Sequence, residues 1–229
     1  MPKIHRYEGE TLTVLYDVTR CIHAAECVRG LPAVFDTQRR PWVIPDAANA
    51  GEIADVILRC PSGALHYEHR DGGPAEEPST ENAVTVISDG PLYLRGRIEI
   101  ADPDGNVSLA DTRIALCRCG ASNNKPFCDL SHKQAGFEDP GLWPADAVTG
   151  TPSEDPVLRV VCRPNGPLIL EGLFLLRTTD GRSAIPRKRI LCRCGASKNK
   201  PFCDGSHAHM GFQSSNPPVG PPVGPPAGD

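Results

Sequence analysis

The sequence predicts a small α+β protein, mostly β, assembled from several short units that carry cysteine-rich loops. Three observations lead there. The chain repeats itself in tandem, and its short apolar stretches alternate as strands do. Ten cysteines sit in a 229-residue chain that also holds 24 prolines and 22 glycines. Hydrophobic residues make up 39% and aromatics 5%, which is thin for one large core. Units this small are marginal unless something staples them.

Disulfides are a poor candidate for the staple. Met1 leads directly into polar sequence with no apolar secretory stretch, and no run approaches the ~20 apolar residues of a membrane span. The most apolar run, 168–176, is broken by Glu171 and Gly172. A cytoplasmic protein with no membrane partner is the expectation, and in that reducing compartment clustered cysteines are usually metal ligands. The formal net charge of -4 gives no reason to expect a nucleic-acid partner.

The repeat sets the organisation. Gly90-Pro91-Leu92-Tyr93-Leu94-Arg95-Gly96 corresponds to Gly166-Pro167-Leu168-Ile169-Leu170-Glu171-Gly172. Cys117-Arg118-Cys119-Gly120-Ala121-Ser122 corresponds to Cys192-Arg193-Cys194-Gly195-Ala196-Ser197, and each copy closes on Gly-Phe, at 136–137 and 211–212. The offset is 76 early and 75 late, the mark of a tandem duplication. Polar, Pro-containing stretches at 71–81 and 138–156 read as linkers. The expected units are therefore 1–70, 82–137 and 157–212. A Pro/Gly-rich tail over 213–229 is expected to be disordered, extended and solvated.

Within each repeat the start reads as β: 83–87 alternates in part, and Gly-Pro precedes Leu-x-Leu. Asp104-Gly105 and Asp180-Gly181 are hairpin-turn dipeptides. The first unit differs. Residues 11–18 read as a strand and 51–60 as a helix, with Ile53, Val56, Ile57 and Cys60 on one face and Pro61 as the stop.

Each repeat then carries C-x-C-x8-C-x3-H: Cys117, Cys119, Cys128 and His132, then Cys192, Cys194, Cys203 and His207. Four soft or borderline donors within 16 residues can close around one metal centre. Asp129 and Asp204 follow the third cysteine and are placed to cap a short helix. Spacing leaves three readings open: a structural zinc site, a reduced or disulfide-bonded set, or an iron–sulfur cluster with mixed ligation. Zinc is favoured by spacing alone.

The residues Cys203-Asp204-Gly205-Ser206-His207, preceded by Lys200-Pro201-Phe202, resemble the CDGSH (NEET-type) iron–sulfur motif. The first copy matches except for Leu130, where the motif has glycine; a glycine position can demand backbone angles that leucine resists. The resemblance covers 82–137 and 157–212. It implies one [2Fe-2S] cluster per motif, held by three cysteines and a histidine. It also implies that the two units pair as an internal pseudo-dimer within a monomeric chain.

Cys21, Cys27 and Cys60-Pro61 form a different pattern, C-x5-C, 32 residues, then C-P. Ala24 stands where a ferredoxin run would place its middle cysteine. With Arg40-Pro41-Trp42 and the Cys60-Pro61-Ser62-Gly63-Ala64-Leu65 ending, 10–70 resembles the divergent mono-cluster ferredoxin domain. Three thiolates suit a [3Fe-4S] cluster, or a [4Fe-4S] cluster whose fourth iron takes another group. His23, one residue before Ala24, is a candidate for that group. A zinc site of three cysteines and one histidine is the alternative.

Other residues have plainer readings. Cys162 lies in an apolar stretch and reads as a core thiol. His5, His66, His69 and His209 read as solvated, and Trp42 and Trp143 as packing residues. For Arg118 and Arg193, between ligand cysteines, plain exposure and a charge-softening role both stand. No nucleotide loop or catalytic triad pattern is present. The reading is therefore a non-enzymatic electron carrier with two [2Fe-2S] clusters and one [3Fe-4S] or [4Fe-4S] cluster, partnered by redox or cluster-acceptor proteins. Cluster storage, transfer or redox sensing is one alternative, and a structural zinc interaction module is the other.

Overall fold

The computed structural model describes residues 3–70, 72–143, 150–151, 153–186 and 189–215. The expected tail falls outside the described residues from 216 onward. The chain divides into two compact units, one ending at Glu77 and the other beginning at Pro78. No helix among the described residues is long and apolar enough to cross a membrane.

The first unit is a three-stranded antiparallel sheet with two short helices. Strands β1 (Ile4–Glu8), β2 (Leu12–Asp17) and β3 (Leu65–His69) lie in the order β1-β2-β3. Leu12, Val14 and Leu65 pack with Val34, Phe35, Val43, Ile53 and Ile57. Helix α1 spans Glu26–Gly30 and α2 spans Ala50–Ile57. Helix α2 begins where it does because Asn49 caps it: its side chain accepts from the Glu52 amide at 2.9 Å, and Glu52 reaches back to the Asn49 amide.

The helix is shorter than the apolar spacing suggests. It stops at Ile57, and the chain turns through Leu58 and Arg59, with the Cys60 amide bonded to the Ile57 carbonyl at 2.9 Å. Pro61 is the reason: the residue before proline is pushed out of the helical region. Cys60 thus leaves from a turn rather than from the helix itself.

The second unit is one eight-stranded sheet drawn from both repeats. The first repeat supplies β4 (Ala83–Val86), β5 (Leu92–Ala101), β6 (Val107–Leu116) and the short helix α3 (Ser131–Gln134). The second supplies β7 (Leu158–Cys162), β8 (Leu168–Glu171), β9 (Leu175–Thr178), β10 (Ser183–Ala184) and β11 (Ile190–Leu191). The order is β10-β9-β4-β5-β7-β8-β11, with β6 on β5. The Asp-Gly dipeptides fall in the β5–β6 and β9–β10 turns.

The pairing between repeats is reciprocal. Strand β4 runs antiparallel to β5 of its own repeat and parallel to β9 of the other, with Ala83 opposite Leu175. Strand β7 runs antiparallel to β8 of its own repeat and parallel to the second half of β5, with Leu158 opposite Ile98. Each opening strand therefore sits between one native and one borrowed neighbour. Asn82 ties the exchange: its amide nitrogen donates to the Pro156 and Leu173 carbonyls, both at 2.8 Å, while its oxygen accepts from the Arg97 amide at 2.8 Å.

One core results. Val84, Leu94, Ile98 and Ile114 from the first repeat pack with Val160, Leu170 and Leu176 from the second. Strand β5 alternates as a half-buried strand should, with Leu92, Leu94, Ile98 and Ile100 inward and Arg95 and Arg97 outward. Each such buried aliphatic side chain contributes about 1.5–3 kcal/mol relative to exposure.

Candidate metal centres

Both CxC loops are folded by the same local bonds. The Cys117 amide donates to the Pro126 carbonyl at 2.8 Å, and the Cys128 amide to the Ala115 carbonyl at 2.9 Å, so the loop returns onto the end of β6. In the second repeat Cys192 donates to Pro201 at 2.8 Å and Cys203 to Ile190 at 2.9 Å. Buried Ser122 donates to the Phe127 carbonyl at 2.7 Å and accepts from the Asn124 amide at 3.0 Å. Ser197 does the same with Phe202 and Asn199, at 2.6 and 3.0 Å. Lys125 and Lys200 each cross the loop to the carbonyl of that serine.

The aspartates act one position away from the expected cap. Leu130 and Gly205 occupy the N-cap positions, in left-handed conformation at φ 71° and 90°. The Asp129 carboxylate accepts from the Ser131 amide at 3.0 Å and from the Asn123 amide at 2.8 Å. Asp204 accepts likewise from Ser206 and Lys198. Each aspartate thus clamps the helical turn to the CxC loop. The expected strain at Leu130 is present, because leucine carries the left-handed angles that glycine carries in the second copy.

The donors come in pairs. Cys117 Sγ lies 3.7 Å from Cys119 Sγ, and Cys128 Sγ lies 3.6 Å from His132 Nδ1. In the second repeat the separations are 3.6 Å for Cys192–Cys194 and 3.4 Å for Cys203–His207. Two ligands on one tetrahedral metal, at ordinary bond lengths, are about 3.5–3.8 Å apart. Among the described residues no three His, Cys, Asp or Glu side chains gather in the manner of a single-ion site.

Backbone amides point at the sulfurs, among them Ala121 to Cys119, Leu130 to Cys128 and Gly205 to Cys203, each at 3.4 Å. Such bonds favour thiolate. Without metal the sulfurs divide protons unevenly. The mutual contact of Cys117 and Cys119 lowers Cys119 to about 6, while that contact and burial drive Cys117 far up. Burial pushes Cys128 and Cys194 up to about 11 and lowers His132.

The two loops meet. Cys119 and Cys194 form an antiparallel backbone bridge. Gly120 and Gly195 follow them at φ 81° and 83°, and a Cβ on either would lie 2.4 Å from the carbonyl oxygen of the opposite cysteine. Glycine is required here by both angle and space.

In the first unit Cys21, Cys27 and Cys60 line one cavity of about 570 Å³, together with Tyr16, Trp42 and Ala24. Burial and then the neighbouring cysteines push the Cys27 thiol up to about 11. The Tyr16 hydroxyl hydrogen-bonds Cys21 and is raised by burial above all. Ser62 Oγ lies 3.7 Å from Cys60 Sγ. His23 is exposed at the rim, its Nδ1 4.0 Å from Cys21 Sγ. His23 and Ala25 are both left-handed, at φ 49° and 65°, so the loop between the first two cysteines is tightly wound.

Several plainer readings now have answers. Cys162 is fully buried in β7, and Trp143 and Trp42 pack in their cores, Trp42 with its ring 4.9 Å from Tyr16. His66 is not solvated as expected: it is buried, with Nδ1 3.0 Å from a Glu76 carboxylate oxygen. The partner lies ten residues away in a stretch read as linker, so no local pattern pointed to it. Arg118 and Arg193 are each 1% exposed, which removes the reading of plain exposure.

Comparison with known proteins adds to this geometry. The family profile described as a divergent 4Fe-4S mono-cluster matches residues 7–70. The profile described as an iron-binding zinc finger of CDGSH type matches twice, at 89–133 and 165–208. The chain carries two CDGSH-type iron-binding domains behind a divergent 4Fe-4S mono-cluster domain. The first domain also has curated relatives. It is 41% identical over 64 residues to the uncharacterized protein YjdI of Escherichia coli K12, covering 84% of YjdI and 28% of this chain. The YjdI of Escherichia coli O157:H7 matches to the same extent. No solved structure matches. By these domains the chain is an iron–sulfur protein.

Proposed function

We propose that the protein is a one-electron carrier with a [2Fe-2S] cluster in each CDGSH repeat and a [3Fe-4S] or [4Fe-4S] cluster at Cys21, Cys27 and Cys60. The observation that carries this reading is the pairing of donors. Each repeat offers two pairs at the edge length of a metal tetrahedron, as a two-iron centre needs. A mononuclear zinc site would need four donors around one point.

Such clusters supply one-electron acceptance, and the chain supplies placement and electrostatics. Cys117 and Cys119 would hold one iron and Cys128 and His132 the other, with Cys192, Cys194, Cys203 and His207 repeating the set. Amides from Ala121, Leu130 and Gly205 stabilise charge on the sulfurs. In the first domain His23 is the candidate for a fourth ligand, its Nδ1 4.0 Å from Cys21 Sγ. The reciprocal strand pairing and the Cys119–Cys194 bridge support an internal pseudo-dimer. Its partners would be redox proteins of the cytoplasm.

A second reading, cluster donation, is favoured by one asymmetry: His132 is buried, whereas His207 sits half-exposed in a single 3-10 turn. Anaerobic purification with iron, sulfide and zinc analysis, followed by electron paramagnetic resonance before and after reduction, tests the main reading. It expects about seven or eight irons per chain and a reduced [2Fe-2S] signal. A colourless protein carrying zinc overturns it.

A further inference from the structure

Aligning the repeats residue by residue exposes a charge difference beside otherwise matched centres. Arg118 and Arg193 each stand between two ligand cysteines, and each guanidinium turns inward under a phenylalanine ring, Phe137 at 4.9 Å and Phe212 at 5.7 Å. Arg118 donates to the Gly90 carbonyl at 3.0 Å and the Ile87 carbonyl at 2.6 Å, and its Nη1 is ion-paired with the Asp139 carboxylate. Asp139 is itself fixed, its amide donating to Asp89 at 2.6 Å.

Arg193 makes the same backbone bonds, to the Gly166 carbonyl at 2.9 Å and to the Arg163 carbonyl. At the repeat offset, however, Asp139 becomes Ser214 and Asp89 becomes Asn165. Ser214 Oγ accepts from Arg193 Nη2 at 2.7 Å, and the Ser214 amide donates to Asn165 at 2.8 Å. The fold of the pocket is kept while both carboxylates are gone. Arg193 Nη1 is left buried with no hydrogen-bond partner among the described residues.

We propose that the two Cys3His centres are electrochemically unequal, with the uncompensated Arg193 cation holding the second centre at the higher reduction potential. A buried positive charge stabilises the added electron, and in the low-dielectric interior it is weakly screened. The ion-paired Asp139 carboxylate offsets part of the Arg118 field, which still reaches His132. The Phe212 ring that faces the Arg193 guanidinium packs against Cys192 and Cys194, and Arg193 also lies within electrostatic reach of Cys117, so neutralising it lowers both potentials, the second more because of that packing. An electron entering the pair therefore rests on the second repeat. This rests on the two-cluster reading above.

Spectroelectrochemical titration of the full, iron-loaded chain tests it, after iron and sulfide analysis shows both CDGSH centres filled. The wild type is expected to give two separated CDGSH waves. Ser214→Asp should shift the higher wave down and narrow the gap, while Ser214→Asn leaves both waves in place. Asp139→Asn should shift the lower wave up, and serves if the Ser214→Asp chain fails to fold. A single wild-type wave, or waves that ignore both charge changes, overturns the inference and leaves the cluster reading intact. Absence of iron and sulfide overturns the cluster reading itself.

Discussion

Cys119 and Cys194 pair backbone to backbone, so equivalent ligand positions of the two repeats meet at one antiparallel bridge. Neither CxC loop can shift without moving the other. Gly120→Ala would set a Cβ 2.4 Å from the Cys194 carbonyl and force alanine to φ 81°, a conformational cost of about 1–2 kcal/mol before the clash is counted. The expected outcome is loss of iron from both repeats together, read by iron analysis. Loss from the first repeat alone would show that the bridge does not couple them.

Leu130 and Gly205 differ in chemistry but share a backbone conformation. Leu130→Gly should stabilise the chain by about 0.5–1 kcal/mol, the relief of left-handed strain less the entropy glycine adds to the unfolded state. Gly205→Leu should destabilise by a similar amount or somewhat more, because open space surrounds that Cβ and only the angle is penalised. Thermal melts of the two variants, moving in opposite directions, check the pair.

Burial raises the thiols of Cys27, Cys128 and Cys194 from 9.0 to about 11. The folded, metal-free chain therefore favours their neutral forms. That stability is complete below the ordinary thiol value and is lost as pH rises through about 11. Metal loading runs the other way, since ligands must shed those protons. Uptake of Co²⁺ by the metal-free chain should tighten from pH 7 to pH 8, by about tenfold for each proton released. Weaker uptake at pH 8 would refute the assignment of buried thiols as ligands.

Asn82 satisfies the carbonyl of Pro156, just before the second repeat, the carbonyl of Leu173 within it, and one amide of the first repeat. Asn82→Ala strands these groups in a buried position, and a cost of about 2–4 kcal/mol is expected. Because both repeats share one sheet, chemical denaturation should still show a single transition for 78–215, shifted to lower denaturant. Two resolved transitions would mean that the repeats fold independently.

Cys162 has Val86 as its counterpart in the first repeat. Cys162→Val should keep iron content and spectrum unchanged, at a cost under about 1.5 kcal/mol for a near-isosteric core swap. A drop in iron would make Cys162 a ligand after all.

The donors were legible in the sequence because their spacing is local, as was the strain at Leu130, since a missing glycine names its own backbone angle. The hairpin turns were legible for the same reason. The exchange of β4 and β7 was not. It depends on parallel contacts such as Ala83–Leu175, which leave no trace in spacing. His66–Glu76 was hidden likewise, because a polar linker reads as solvated until a partner is seen burying it. The length of α2 was misjudged by extending apolar spacing up to Pro61 without the restriction proline places on Cys60. The Asp139–Ser214 contrast was available at the repeat offset, but it lies just past the Gly-Phe closures that marked the ends of the copies.

The borrowed strands also set the order of events at the ribosome. Strand β4 lies between β5 and β9, and β9 ends at Thr178. When the four donors of the first repeat have emerged, β9, the strand that flanks β4, has still to leave the ribosome. The opening repeat must wait, one sheet edge bare and its thiols open to metals and oxidants, until roughly the next 46 residues follow His132 out of the exit tunnel. Assembly of the first centre is thereby tied to the completion of the second half of the protein, and a truncated nascent chain would offer ligands without a finished scaffold.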